Sequence, residues 1–321
     1  MGLRMNAALA SFAALLLAIW LEVRLHPAVA ASLSNHLPYA LASFALLLAP
    51  LWFFGFGAGE WLRDSARSSG LRIFLPALLA VPYLVSAIPA RDVRWAIAVP
   101  MLALPVTLAA FLELPALPSK MVWRDGVVLA ALALIYMLGL LGTAWPYSGL
   151  AALSKLFIVD LALYLYVVVR RLAGVGYCLL PGRDAIARGL KEWIYFLPFG
   201  IGLGLVTGFI HFHSRLPSAT QVSAELLVTF LLVAIPEELF FRGILQNLLE
   251  TRLGRRPALL WTAVLFGLAH FNKGATFNWR YVLLAAVAGF FYGRAWRSRR
   301  QLLASAVTHT AVDVVWSLWF R

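Results

Sequence analysis

Charge is what this sequence has least of. Only 13% of its 321 residues are Asp, Glu, Lys or Arg, against about 25% in a soluble globular domain. That deficit takes the chain out of the soluble class. Acid is scarcer still: 14 Asp and Glu stand against 27 Lys and Arg, a net charge of +13. The single cysteine, Cys178, excludes an internal disulfide and a multi-cysteine metal site. It follows Gly174 and Gly176 with no histidine close by in sequence, so it reads as an inert thiol rather than a nucleophile. Alternating strand patterns are missing, and so is the HExxH pattern of zinc peptidases.

Apolar residues, 62% of the chain, come in long blocks. Each block is long enough to cross the roughly 30 Å hydrocarbon core as a helix. Lipid gives the backbone no hydrogen-bond partner, so spanning segments are helices or barrel strands, and these blocks run too long for strands. The expected fold is all-α, a polytopic transmembrane helical bundle of about eleven spans, near 6–23, 37–57, 72–90, 95–115, 126–145, 148–170, 195–212, 222–251, 257–272, 279–296 and 301–320. The first follows Arg4 but lacks a small-residue cleavage site, so it reads as a retained helix rather than a signal peptide. The eighth is over-long, and its part from Gln246 onward is expected to leave the membrane.

The net charge does not read as a nucleic-acid signal. Lys and Arg stand at block ends, where they bias topology and meet anionic headgroups, with no compact basic domain. With the N-terminus cytoplasmic, Arg4 and the even-numbered connections hold 18 basic residues (among them Arg63, Arg67, Arg72, Lys120, Arg170, Arg171, Arg183, Arg255 and Arg297). The odd-numbered connections hold 6, Arg24, Arg91, Arg94, Arg215, Lys273 and Arg280. The positive-inside rule then puts the C-terminus outside. Residues 172–194 interrupt the series. After Pro181 and Gly182, Ala185–Trp193 is expected to form a short helix on the cytoplasmic surface. This divides the chain into an N-terminal region, 1–171, with about six spans of unknown function; an interfacial connector, 172–194; and a region 195–321 that holds nearly all the intramembrane polar chemistry.

Ionisable residues in hydrocarbon are costly, so each is a functional hypothesis. They cluster in three blocks: Ile235-Pro236-Glu237-Glu238-Leu239-Phe240-Phe241-Arg242-Gly243, then Phe266-Gly267-Leu268-Ala269-His270, then Thr308-His309-Thr310-Ala311-Val312-Asp313. Glu238 and Arg242 lie four apart and share a face. Their pairing leaves Glu237, on an adjacent face, for other work. His309 and Asp313 are also four apart, so the carboxylate can orient the imidazole. Pro236 removes a backbone hydrogen bond just before the carboxylates. A carboxylate and two imidazoles converging in a wet intramembrane pocket can deprotonate water and stabilise an oxyanion.

The order Glu-Glu-x-x-x-Arg, Phe-x-x-x-His, His-x-x-x-Asn/Asp on successive C-terminal blocks resembles the CPBP family. It comprises the CAAX prenyl proteases of the Rce1 type and the Abi or bacteriocin-processing proteins, and the resemblance covers residues 222–321. It implies an intramembrane endopeptidase with Glu237 as general base, His270 holding the water, Glu238 and Arg242 as a supporting ion pair, and Phe266 within the His270 motif. His309 and the residue four on would stabilise the oxyanion. Prenyl endopeptidases have Asn at that last position and this chain has Asp313. An ionised Asp donates no hydrogen bond, so either Asp313 is protonated or it orients and charges His309.

Two further readings stand beside this one. Glu237, His270 and His309 are also a zinc set, as in a metalloprotease, although the missing HExxH favours a metal-free glutamate protease. A transporter or non-catalytic scaffold would also carry buried charge, but the two halves lack the matching broken helices of many transporters. The remaining polar residues have blander readings. Gly289 and Gly293 read as close-packing sites, Asn272, Asn278 and Trp279 as interface anchors, and Glu113 and Glu225 as reaching water. Asp160 and Lys155 read as a loose pair, with each other or another helix, and His211 and His213 as an exposed loop despite their His-x-His spacing. The Ala/Leu- and Arg-rich style points to a bacterial inner membrane. The expected partner is a membrane-anchored peptide or protein substrate, a bacteriocin leader or a sorting tail, with the N-terminal spans as a docking wall or partner surface.

Overall fold

The computed structural model describes residues 2–25, 36–114, 118–146, 151–213, 217–271 and 277–320. Arg215, Asn272 and Lys273 lie outside them. The described residues are predominantly helical, with no strand and one isolated bridge, Phe212 to Phe320. The chain divides into two compact units, 1–118 with 122–172, and 119–121 with 173–321.

The first unit contains α1 (Gly2–Leu25), α2 (Leu37–Phe54), α3 (Ala58–Ser65), α4 (Ser69–Ala87, with a 3-10 stretch Leu75–Ala80), α5 (Trp95–Glu113), α6 (Trp123–Met137) and α7 (Ala151–Leu163, continued as π-helix over Tyr164–Val169). α7 is the centre of this unit: 83% of its apolar window is buried, against 11% for α1. Polar groups here are matched locally. Asp125 is buried, its Oδ2 accepts from Val122 N at the start of α6, and its Oδ1 accepts from Arg170 Nε at 2.8 Å. Glu113, expected to reach water, is instead held by Arg72 and Ser69. The end of α5 packs on α4, and a guanidinium there satisfies the carboxylate. Asp160 is fully buried in α7.

The second unit contains α8 (Arg183–Val206), a long helix α9 over 219–253, α10 (Arg255–Leu268), α11 (Trp279–Arg297) and α12 (Leu302–Trp319). The expected surface helix Ala185–Trp193 is not separate; it is the first part of α8, which runs unbroken to Val206. Nothing between Leu190 and Leu197 breaks a helix, so the polar start and the apolar continuation form one rod. Asn278 is the N-cap of α11, its side chain accepting from Tyr281 N at 3.2 Å, a capping role rather than interface anchoring.

Six helices among the described residues are long and apolar enough to cross a membrane, five in the first unit and α12 in the second. The other expected spans fall on helices that are shorter, such as α6 with 15 residues and α10 with 14, or on α8, α9 and α11, which carry several charges.

Within the second unit, residues 173–176 are strapped to the α11–α12 turn. Leu302 N donates to Gly176 O at 3.0 Å, Trp296 Nε1 to Val175 O at 3.1 Å, and Asn247 Nδ2 to Ala173 O at 2.8 Å. Gly176 has φ +72°, and a Cβ there would fall on the carbonyl of Arg300. Gly176→Ala is therefore expected to destabilise the protein by roughly 1–2 kcal/mol from the backbone alone, with the clash adding to it. Thermal unfolding in detergent measures this, with Gly182→Ala as control, where an added Cβ meets nothing closer than 4.0 Å.

Candidate active site

The long helix α9 is not uniformly α. π-helical turns over Thr229–Ala234 and Leu239–Gln246 flank a short α stretch, Ile235–Glu238. Such turns are uncommon and concentrate at functional sites. The first lies just ahead of Pro236, whose ring would crowd the Leu232 carbonyl in an α turn; the wider turn relieves it. The two glutamates emerge between the π turns, adjacent in sequence and so about 100° apart around the axis.

Glu238 points into the protein. Its Oε1 accepts from Arg242 Nη1 at 2.9 Å and from His309 Nδ1 at 2.7 Å. Its Oε2 is reached by the hydroxyl of Ser305. Arg242 Nη2 donates to Gly289 O at 2.9 Å, and the guanidinium lies over the rings of Phe266 (4.4 Å) and Tyr292 (5.1 Å). Glu238, Arg242 and Ser305 are all completely buried. Gly289 is read correctly as a close-packing site: a Cβ there would come within 3.1 Å of Arg242 Nη2.

Glu237 points the other way, into a cavity of about 130 Å³ that is also lined by His270, His309, Asp313 and Phe266. His309 Nε2 lies 3.3 Å from Asp313 Oδ2 and 3.9 Å from Glu237 Oε2. The imidazole is stacked on Tyr292 at 4.5 Å and 15°, with Phe266 edge-on at 5.7 Å. His270 Nδ1 faces the Phe266 carbonyl at 2.8 Å. A carbonyl only accepts, so that nitrogen carries the proton, and in the neutral ring Nε2 is an acceptor. The rest of the wall is apolar and aromatic, including Trp193, Phe196, Phe209, Tyr281 and Trp316.

The structure thus brings Glu237, His270, His309 and Asp313 to one cavity and packs Glu238, Arg242 and Phe266 behind it. Two features differ from the expectation. The contact that orients His309 through Nδ1 is Glu238, while Asp313 meets the other nitrogen, because α12 and α9 pack with Glu238 facing His309. Ser305 and Tyr292 were not anticipated; Ser305 lies one turn before His309, the spacing that could have drawn attention to it. His211 and His213 are not among the cavity-lining residues.

Residues 219–315 match the family model for type II CAAX prenyl endopeptidase Rce1-like proteins. This region is Rce1-like. This stretch is similar to the CAAX prenyl endopeptidases of the CPBP family, and all seven residues above fall inside it. No curated protein and no solved structure matches the chain.

Breaking a buried ion pair by removing one partner leaves an uncompensated charge. Arg242→Ala is therefore expected to destabilise this Rce1-like region by roughly 3–5 kcal/mol. A drop in melting temperature far larger than that of Arg256→Ala, at the start of α10, would show it.

Proposed function

We propose that this chain is an intramembrane endopeptidase that cleaves a membrane-associated protein or peptide by glutamate-activated water. The observation that carries the reading is the convergence of Glu237, His270, His309 and Asp313 on one cavity within an Rce1-like region. Glu237 takes a proton from water as the water oxygen bonds to the scissile carbonyl carbon and an electron pair moves to the carbonyl oxygen. As that pair returns and the C–N bond breaks, Glu237 passes its proton to the leaving amine. His270 Nε2, an acceptor in the neutral ring, holds the same water. With Nδ1–H held by Glu238, Nε2 of His309 is the nitrogen offered to the cavity. At rest a protonated Asp313 donates to it, and once that proton has passed to Nε2 the ring donates to the oxyanion. The 3.3 Å contact to Nε2 supports an Asp313 that is protonated at rest and charges His309 only during the reaction.

The site is proposed to act without metal. Both ring nitrogens of His309 are already directed at carboxylates, at 2.7 Å and 3.3 Å, and among the described residues no three His, Cys, Asp or Glu side chains are disposed to hold an ion. The substrate is proposed to be a membrane-anchored peptide whose apolar flank lies along the aromatic wall, a leader or a sorting tail in a bacterial inner membrane. The reading extends to eleven spans, with a cytoplasmic N-terminus and an outside C-terminus.

Reconstituted wild type and Glu237→Gln, compared on a library of membrane-anchored reporter peptides, test the chemistry. Cleavage is expected to fall at least about 10²-fold in the variant and to be indifferent to a chelator. Loss of wild-type activity on chelation would move the site to the zinc peptidases, and equal activity in both proteins would remove Glu237 from the mechanism. The topology is testable with the single thiol. Cys178 is exposed and proposed to be cytoplasmic, so in intact cells a membrane-permeant maleimide should label it and an impermeant one should not.

A further inference from the structure

The last helix carries a column of polar residues that the proposed reaction uses only in part. Ser305, His309 and Asp313 recur every four residues of α12 and share one face. His309 and Asp313 meet at Nε2. Ser305 is completely buried and does not line the cavity, so it has no access to substrate. Its hydroxyl does not bond back to its own helix, the usual arrangement for a buried helical serine. It reaches Glu238 Oε2 on α9 and, at 2.9 Å, the Tyr292 carbonyl on α11.

We propose that Ser305 is a positioning residue that sets the tautomer of His309 through Glu238. A serine has one proton to give, and an ionised carboxylate is a stronger acceptor than a peptide carbonyl, so the proton goes to Glu238. The terminal torsion of a glutamate is soft. Arg242 and His309 both approach Oε1, and neither fixes the other oxygen. The Ser305 contact on Oε2 stops the carboxylate from turning, keeps Oε1 on Nδ1, and so keeps the proton on that nitrogen and Nε2 turned to the cavity. Partners one layer behind a catalytic imidazole commonly fix its tautomer in this way. The geometric part stands by itself; the effect on catalysis rests on the proposed peptidase reading.

The test uses the full-length chain in lipid nanodiscs with Ser305→Thr and Ser305→Val. These side chains have nearly the same shape, so the added methyl affects both alike and only the hydroxyl differs. The first readout is the ring ¹⁵N resonances of His309 in histidine-labelled protein, assigned by their loss in His309→Gln. Wild type and the Thr variant are expected to show one species protonated at Nδ1, and the Val variant a mixture or the opposite tautomer. The second is turnover of whichever reporter peptide wild type cleaves, with kcat expected about tenfold lower or more in Val than in Thr and KM unchanged. Identical His309 resonances in the two variants would overturn the proposal, even with a difference in kcat, since that would be a merely structural effect. The resonances are read equally well in a protein that cleaves nothing, so failure of the peptidase reading is a separate result.

Discussion

The second unit depends on one buried ion pair. Withdrawing Glu238 and Arg242 from water costs several kcal/mol per ion, and their mutual attraction offsets this only when their other hydrogen-bonding capacity is also met. Here the carboxylate takes bonds from Arg242, His309 and Ser305, and the guanidinium gives one to Gly289 and lies on two aromatic faces. Those partners belong to α9, α10, α11 and α12. Apolar side chains tolerate some sliding of one helix on another, whereas a fully buried charge does not. The pair therefore fixes the register of four helices, and the cavity inherits its geometry from that register.

Two consecutive glutamates consequently do opposite things. Glu238 is locked in the interior, and Glu237, rotated by about 100°, faces a cavity whose other polar members are His270, His309 and Asp313. Phe266 joins the two environments, because its ring meets the Arg242 guanidinium on the buried side and both histidine rings on the cavity side. Its carbonyl also holds His270 Nδ1. The aromatic wall beyond keeps the carboxylates in surroundings of low polarity, where a positioned proton acceptor acts more strongly than in water.

Much of this was legible in the sequence because it is written within single helices. Glu238 with Arg242, Phe266 with His270, and His309 with Asp313 are each four residues apart, and such spacing says which side chains share a face. Spacing does not say which helix that face meets. Sequence therefore assigned Glu238 to Arg242 alone, when the carboxylate also holds His309, and gave Asp313 the orienting role. Ser305 carried only its spacing from His309, a weak signal since a helical serine usually bonds its own preceding turn. The expected surface helix before Tyr195 failed for a different reason. A change from polar to apolar composition marks a change of environment, and without a glycine or proline to end it the helix simply crosses that change. Glu113 followed the same pattern as Glu238, its partner Arg72 lying on a neighbouring helix that the linear sequence places 41 residues away.

The π turns on either side of the glutamates let α9 carry surplus residues without turning the helix beyond them. Each wide turn stores a residue that an ordinary turn would not hold, and so keeps that surplus from shifting the phase of everything beyond it. A single-residue deletion within Thr229–Ala234 would let the backbone relax to regular turns with hydrogen bonds intact. It would leave the segment before it facing nearly as it does now, while closing the wide turn that clears the Pro236 ring. Substitutions in this stretch leave the phase alone. In this helix, then, the surplus is spent locally on the turn ahead of Pro236, and a chain shortened there would keep its pocket on the same face.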